Sequence, residues 1–214
     1  SLDAYEDRDH PYRYGRYGTP ITRHFERAIA DLEGGYNAVA TPSGLSAITT
    51  ALFGFLKSGD HLLIVDTIYP PTRDFCDRIL TRYGIEVEYY DPHVDGGIAA
   101  LVKDNTAVIY MESPGSATFE VQDVPAIINA AKDKNLITMI DSSWASGVLY
   151  HPFEHGVDVI IHSASKYISG HSDIMMGVCI GREEGHYKSL KSAAKDLGVC
   201  VGADELFLAL RGLR

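Results

Sequence analysis

Two almost unbroken apolar runs, at residues 136–140 and 157–161, constrain this chain more than any other feature. A strand of that kind has no polar face to turn toward water, so it belongs in a parallel sheet covered by helices on both sides. The first run ends in Asp141, and the second, broken only by Asp158, leads into His162-Ser-Ala-Ser-Lys166. In open α/β sheets ligands sit beyond the carboxyl ends of the strands. Asp141 and Lys166 therefore both fall where a site is expected.

The remaining segments alternate between short apolar runs and stretches of helical period, the pattern of an α/β domain. A helix follows Thr22, with Phe25, Ile29 and Leu32 on one face and Gly34-Gly35 as its stop. A strand at 38–41 runs through Pro42-Ser43-Gly44 into a second helix that ends near 58–59. Strands are expected at 61–66, 86–90, 107–111 and 174–180, with helices at about 71–83 and 187–196. Another helix covers 124–131, opened by Asp123 as cap with Pro125 in its first turn. The expected fold is one large α/β domain with a mostly parallel central sheet flanked by helices. At 45% hydrophobic and 22% charged residues, 214 positions suffice to bury its core without metals or disulfides.

Charge excludes one class of partner. With 19 Lys and Arg against 29 acidic residues, the net charge is -10, and no basic patch offers itself to a nucleic acid. Any phosphate must be held locally, by backbone amides and a few donors. The cysteines, Cys76, Cys179 and Cys200, are odd in number and lack CxxC spacing, and the nine histidines show no ligand spacing. Neither a disulfide framework nor a metal site is expected. No apolar run reaches the ~20 residues of a membrane span, and the polar start is no signal peptide. A cytoplasmic protein with reduced thiols is the expectation.

Several residues carry candidate chemistry, each beside a blander reading. Lys166 after a buried strand would be partly desolvated, which favours the neutral amine that condenses with carbonyls; otherwise it is an ordinary loop lysine. Ser163 and Ser165 beside it could donate to a phosphate. Asp141 could pair with a protonated pyridine nitrogen, or simply cap a turn, as we read Asp66. Ser43-Gly44-Leu45 opens a helix whose free amides suit a phosphate, although Ser-Gly is also a common cap and no Walker A ending follows. Tyr69 could stack on a planar ring or only pack. Tyr14 and Arg16, in a polar glycine-rich start, read by default as part of a solvated arm.

Together these segments resemble the Cys/Met-metabolism family of pyridoxal-phosphate (PLP) enzymes, closest to its cystathionine β-lyases. The stretch from Asp158 to Ser172 is similar to the family's cofactor-lysine signature, with Ser165 where threonine is usual. The segment Tyr14-Gly-Arg16-Tyr-Gly18-Thr-Pro20 is similar to its N-terminal motif. The resemblance implies the large domain of a fold-type I, aspartate aminotransferase-like enzyme at 22–214. Residues 1–21 become an arm reaching a neighbouring subunit, and a C-terminal small domain with the substrate-carboxylate arginine is expected to be absent from this chain. It further implies PLP held by Lys166 as a Schiff base, and Asp141 on the pyridine nitrogen. Tyr69 stacks on the ring, and Ser43, Gly44, Leu45, Ser163 and Ser165 hold the phosphate. Tyr14 and Arg16 reach that phosphate from a second copy, in a homodimer or tetramer. The catalytic set it implies is Lys166, Asp141, Tyr69 and Tyr14.

Glu112-Ser-Pro-Gly-Ser116 and the Trp144 segment resemble the β-lyases; γ-acting relatives often carry asparagine at Ser116, and Ser142 stands where asparagine is common. The implied activity is β-elimination on cystathionine or a similar sulfur amino acid, giving homocysteine, pyruvate and ammonia. The alternatives are γ-lyase, γ-synthase or sulfhydrylase chemistry, or a non-catalytic fragment that keeps the fold.

Overall fold

The computed structural model describes residues 14–132 and 134–214. Thirteen residues of the expected arm, 1–13, lie outside the described set. The first helix, α1 (Pro20–Glu33), starts earlier than its apolar period shows and takes in the last two residues assigned to the arm. The reason is local. Thr19 and Thr22 form a reciprocal capping box, and Pro20 at the first helical position has its φ already set. Gly34, left-handed, ends it where the Gly-Gly pair indicated.

From there the chain alternates: β1 (Asn37–Thr41), α2 (Gly44–Phe55), β2 (His61–Val65), α3 (Pro70–Phe75), β3 (Glu86–Tyr90) and β4 (Thr106–Glu112). Then follow α4 (Val124–Ala131), β5 (Ile137–Asp141), β6 (Val159–His162), β7 (Gly177–Gly181), α5 (Glu184–Asp196) and α6 (Ala203–Gly212). The helix expected at 71–83 is α3 continued by a π turn and a 3-10 turn to Tyr83. The seven strands form one sheet in the order β1-β7-β6-β5-β4-β2-β3. Every neighbouring pair is parallel except the two that involve β7. The apolar runs are the sheet's centre: Met139, Ile140, Val159, Ile160 and Ile161 are fully buried.

Two of the strand boundaries that differ from the sequence reading have a visible cause. Asp158 is not part of β6; its carboxylate accepts from the Thr138 amide and hydroxyl at 2.9 and 2.8 Å and meets Arg182 at 2.9 Å. Residues 174–176 precede β7, because the Met176 backbone bonds the Ser165 side chain instead of a strand neighbour. The helix α6 has no counterpart in the sequence reading, although Leu206 and Ala209, both buried, have helical spacing behind an acidic first turn. It packs on α1. None of the helices among the described residues is long and apolar enough to cross a membrane.

Direction matters more than order for function. The carboxyl ends of β1, β2, β4, β5 and β6 all lie at one edge of the sheet, since these strands share one direction. From β2 the chain moves outward to β3, whereas from β4 it moves the opposite way to β5 and β6. The crevice between β2 and β4 is thus the point where connections diverge, the usual ligand position in such sheets.

Candidate active site

At that edge lies a cleft of about 630 Å³, within the size range of small-molecule and cofactor sites. It gathers Ser43, Gly44, Leu45, Tyr69, Asp141, Ser163, Ser165 and Lys166, eight of the ten residues singled out from sequence. Their chain positions span more than 120 residues, and the strand ends bring them together.

The wall after β1 is the N-terminus of α2. Ser43 caps this helix, its hydroxyl accepting the Ser46 amide at 3.0 Å. The next amides, on Gly44 and Leu45, lie in the first helical turn, where N–H groups have no intrahelical acceptor and the helix dipole favours an anion. Gly44 also permits a close approach. A Cβ there would stand 2.9 Å from Ser163 Cβ, so any side chain would push the helix off the turn that carries Lys166.

That turn is fixed by its own backbone. The Lys166 amide donates to Ser163 O at 3.1 Å, and the Gly170 amide to Lys166 O at 2.8 Å. Below it the Ser163 amide donates to Ser143 Oγ at 2.7 Å. The two serines flanking Lys166 part company here. Ser165 donates its proton to Met176 O at 3.2 Å and accepts the Met176 amide at 2.8 Å, so its hydroxyl secures the turn. Ser163 faces Gly44 and is the better placed phosphate donor of the two. The expected desolvation of Lys166 is not found: the residue is exposed, because it sits at the cleft mouth and no described part of this chain closes over it.

Asp141 ends β5 on the cleft floor, partly buried, with one oxygen accepting the Ser143 amide at 3.0 Å. It is therefore a turn-forming carboxylate and a cleft residue at once. Asp66, by contrast, pairs with Arg73, in keeping with its reading as a loop carboxylate. Tyr69 stands half-exposed at the far wall, immediately before Pro70 of α3. Tyr14 and Arg16 do not reach this cleft within the chain. Arg16 donates to Lys195 O at 2.6 Å and lies over the Tyr17 ring at 4.8 Å, and Tyr14 is exposed.

One cleft residue was missed as a functional candidate. Glu112 ends β4 in register with Asp141 and is only 9% exposed. Burial first, then the Asp141 charge, push its carboxyl up to about 7. The available signal was the apolar run at 107–111 ending in an acid, the same pattern that singled out Asp141. The histidines also hold one surprise, at the opposite end of the sheet: His61, Glu86 and Glu88 lie close enough to share an ion. The Lys103 ammonium already bridges the two carboxylates at 2.7 and 2.5 Å, and burial followed by the Lys103 charge lowers the His61 imidazole. This is an ion-pair cluster, filled by its own cation.

The cleft suits a phosphorylated aromatic aldehyde. Gly44 leaves a cradle that a Cβ would fill, Asp141 offers a carboxylate, Tyr69 an aromatic face and Lys166 an amine. The charge tally is the one gap: among the described lining residues Lys166 is the sole cation, against Glu112 and Asp141, and no arginine is present.

Comparison with known proteins gives a consistent picture. The family model for Cys/Met metabolism PLP-dependent enzymes matches residues 2–214. A putative cystathionine beta-lyase of Rhizobium johnstonii is 46% identical over 99% of this chain and 53% of its own length. An L-alanine/L-glutamate racemase of Wolbachia pipientis is 40% identical over 95% of this chain and 50% of its own. The crystal structure of cystathionine gamma-lyase from Lactobacillus plantarum, complexed with L-serine, superposes with a TM-score of 0.93 at 29% identity, covering 97% of this chain and 54% of that one. The chain spans about half the length of the curated relatives it matches.

Proposed function

The chain belongs to the Cys/Met-metabolism family of PLP-dependent enzymes, and on that premise we propose that it carries the cofactor site of a carbon–sulfur lyase. Its reaction is β-elimination on cystathionine or a similar sulfur amino acid. The observation that carries this reading is the single cleft uniting Lys166, Asp141, Tyr69 and the α2 N-terminus.

Bound PLP supplies a carbonyl that condenses with amines and an electron-poor ring that accepts the electron pair left at a deprotonated carbon. The residues do the rest. Lys166 Nζ would hold that carbonyl and, once free, would serve as the base for the Cα proton. Asp141 would hold the ring nitrogen in its protonated form, and Tyr69 would offer its aromatic face to the ring. Gly44 and Leu45 amides with the Ser163 hydroxyl hold the phosphate, and Ser165 keeps the lysine turn in place. Arg16 and Tyr14 of a second copy complete the phosphate site, which accounts for the missing cation and makes a homodimer the smallest active unit. Departing sulfur needs a proton, which Tyr69, with Tyr14 of the second copy, would deliver.

Relatives named for β-cleavage, γ-cleavage and racemisation share this fold, so the products decide. Loaded with PLP and given L-cystathionine, the protein should release pyruvate, ammonia and homocysteine. Release of 2-oxobutyrate and cysteine would instead mark a γ-lyase. Intact cystathionine together with racemised L-alanine would overturn the lyase reading. Binding itself has a built-in reporter. Trp144, the one tryptophan of the chain, lines the cleft at 51% exposure. Titration with PLP should quench its emission saturably, while an unchanged signal would place the ligand elsewhere.

A further inference from the structure

The proposed function leaves Glu112 without a role. Its side chain is nonetheless the most connected acid in the cleft. Oε2 accepts the Tyr69 amide at 2.8 Å, and Oε1 accepts the Ser116 hydroxyl at 2.6 Å. The two partners belong to different turns, one after β2 and one after β4. These turns are pressed together directly above it: the Ser116 amide donates to Thr67 O at 2.8 Å. A Cβ on Gly115 would lie only 2.5 Å from Thr67 Oγ1 and 2.7 Å from Thr67 Cβ. Ala117 and Phe119, which continue that turn along the cleft, hold left-handed backbones at φ 64° and 63°. Such conformations persist only where surrounding contacts fix them.

We infer that Glu112 is a positioning residue of the cofactor site, a single carboxylate that fixes Tyr69 and the Ser116 turn relative to Asp141 and Lys166. The inference rests on reading the cleft as the PLP site. Chemistry explains why an acid stands there. An ionised carboxylate accepts at both oxygens at once, as it does here from the Tyr69 amide and the Ser116 hydroxyl. The arrangement is costly to keep ionised. Asp141 faces it from β5, Lys166 from the turn after β6, the buried Tyr110 phenol lies two residues back on β4, and Tyr69 stands above. Burial and Asp141 raise the Glu112 carboxyl, while Ser116, the Tyr69 amide and Lys166 lower it, leaving it at about 7.

The sign for stability follows from that raised value. The folded protein holds this proton more tightly than the unfolded chain. Glu112 thus favours folding fully below its ordinary 4.5, and the contribution is lost as pH rises through about 7.

Two variants test the inference by readouts other than turnover. Glu112→Ala should weaken PLP affinity, read from Trp144 emission, by roughly 10-fold or more, the effect of losing a hydrogen bond to a charged group. Glu112→Gln should bind within a few-fold of the parent, because its amide oxygen can accept from Tyr69 and the Ser116 hydroxyl can turn to accept from its amide nitrogen. It should also lose the decline in melting temperature expected between about pH 4.5 and 7. Unchanged affinity in Glu112→Ala would overturn the inference, and if that variant does not fold, a parental melting profile in Glu112→Gln would do so. Borohydride trapping of PLP on the unsubstituted protein separates the two readings. Failure to trap at Lys166 sinks the cofactor site itself, whereas successful trapping with an indifferent Glu112 sinks only the positioning role.

Discussion

Lys166→Ala should lower turnover by at least ~10⁴-fold, the upper end of what a positioned proton-transfer group contributes, because on the proposed function the covalent anchor and the base are lost together. The fold should barely register the change. Lys166 is exposed, and its turn is held by backbone bonds such as Gly170 N–H to Lys166 O at 2.8 Å, which the substitution leaves intact. Surface substitutions of this kind shift stability by only about 0.5 kcal/mol in either direction. Melting temperature and turnover should therefore separate cleanly. A companion measurement identifies the atom. Reducing the PLP-loaded protein with borohydride and mapping the modified peptide should place the adduct on Lys166, the one lysine in the cleft lining. Near-normal turnover in Lys166→Ala, or a dominant adduct on another lysine, would sink the assignment.

Most of the cleft is legible in the amino-acid sequence because the parallel sheet announces itself through strands that have no wet face. Once β5 and β6 are placed, the polar residues that terminate them have only one edge to occupy. Asp141 and Lys166 follow from that geometry, and Ser43 and Tyr69 follow at strands β1 and β2. Glu112 obeys the same rule. Its apolar run is plain as a strand, and the acid that ends it is the half of the pattern that goes unnoticed.

Other features depend on contacts distant in sequence, which no local pattern carries. Asp158 breaks its apolar run because Thr138 of β5 and Arg182, just past β7, claim its carboxylate. Residues 174–176 read as strand, yet the Ser165 hydroxyl captures the Met176 backbone first. The same capture decides between the two serines beside Lys166. Exposure of Lys166 is equally hidden, because a sequence gives the strand beneath a loop but not the cover above it. Tyr14 and Arg16 show the limit of a single chain: Arg16 bonds Lys195 O and Tyr14 packs on Tyr17 within it, and the phosphate role proposed for them needs a second copy.

Asp141 carries the second large expected effect, and its environment allows charge to be tested apart from shape. Asp141→Asn keeps the oxygen that accepts the Ser143 amide at 3.0 Å, so the turn after β5 should survive. What the amide cannot do is balance a protonated ring nitrogen. Removing one member of such a buried pair costs roughly 3–5 kcal/mol, or on the order of a hundred- to a few-thousand-fold in kcat/KM. Lys166 should still trap PLP in this variant, since anchoring and electron withdrawal are separate tasks. The substitution must also be felt at Glu112, its register partner on β4. Asp141 is the second-largest cause, after burial, of the raised Glu112 carboxyl. With its charge gone, Glu112 should titrate lower, and the melting-temperature decline expected between about pH 4.5 and 7 should end at more acidic pH. A variant that loses turnover but leaves that decline in place would show that the two carboxylates do not sense one another. One that moves the decline but keeps full turnover would remove Asp141 from the chemistry.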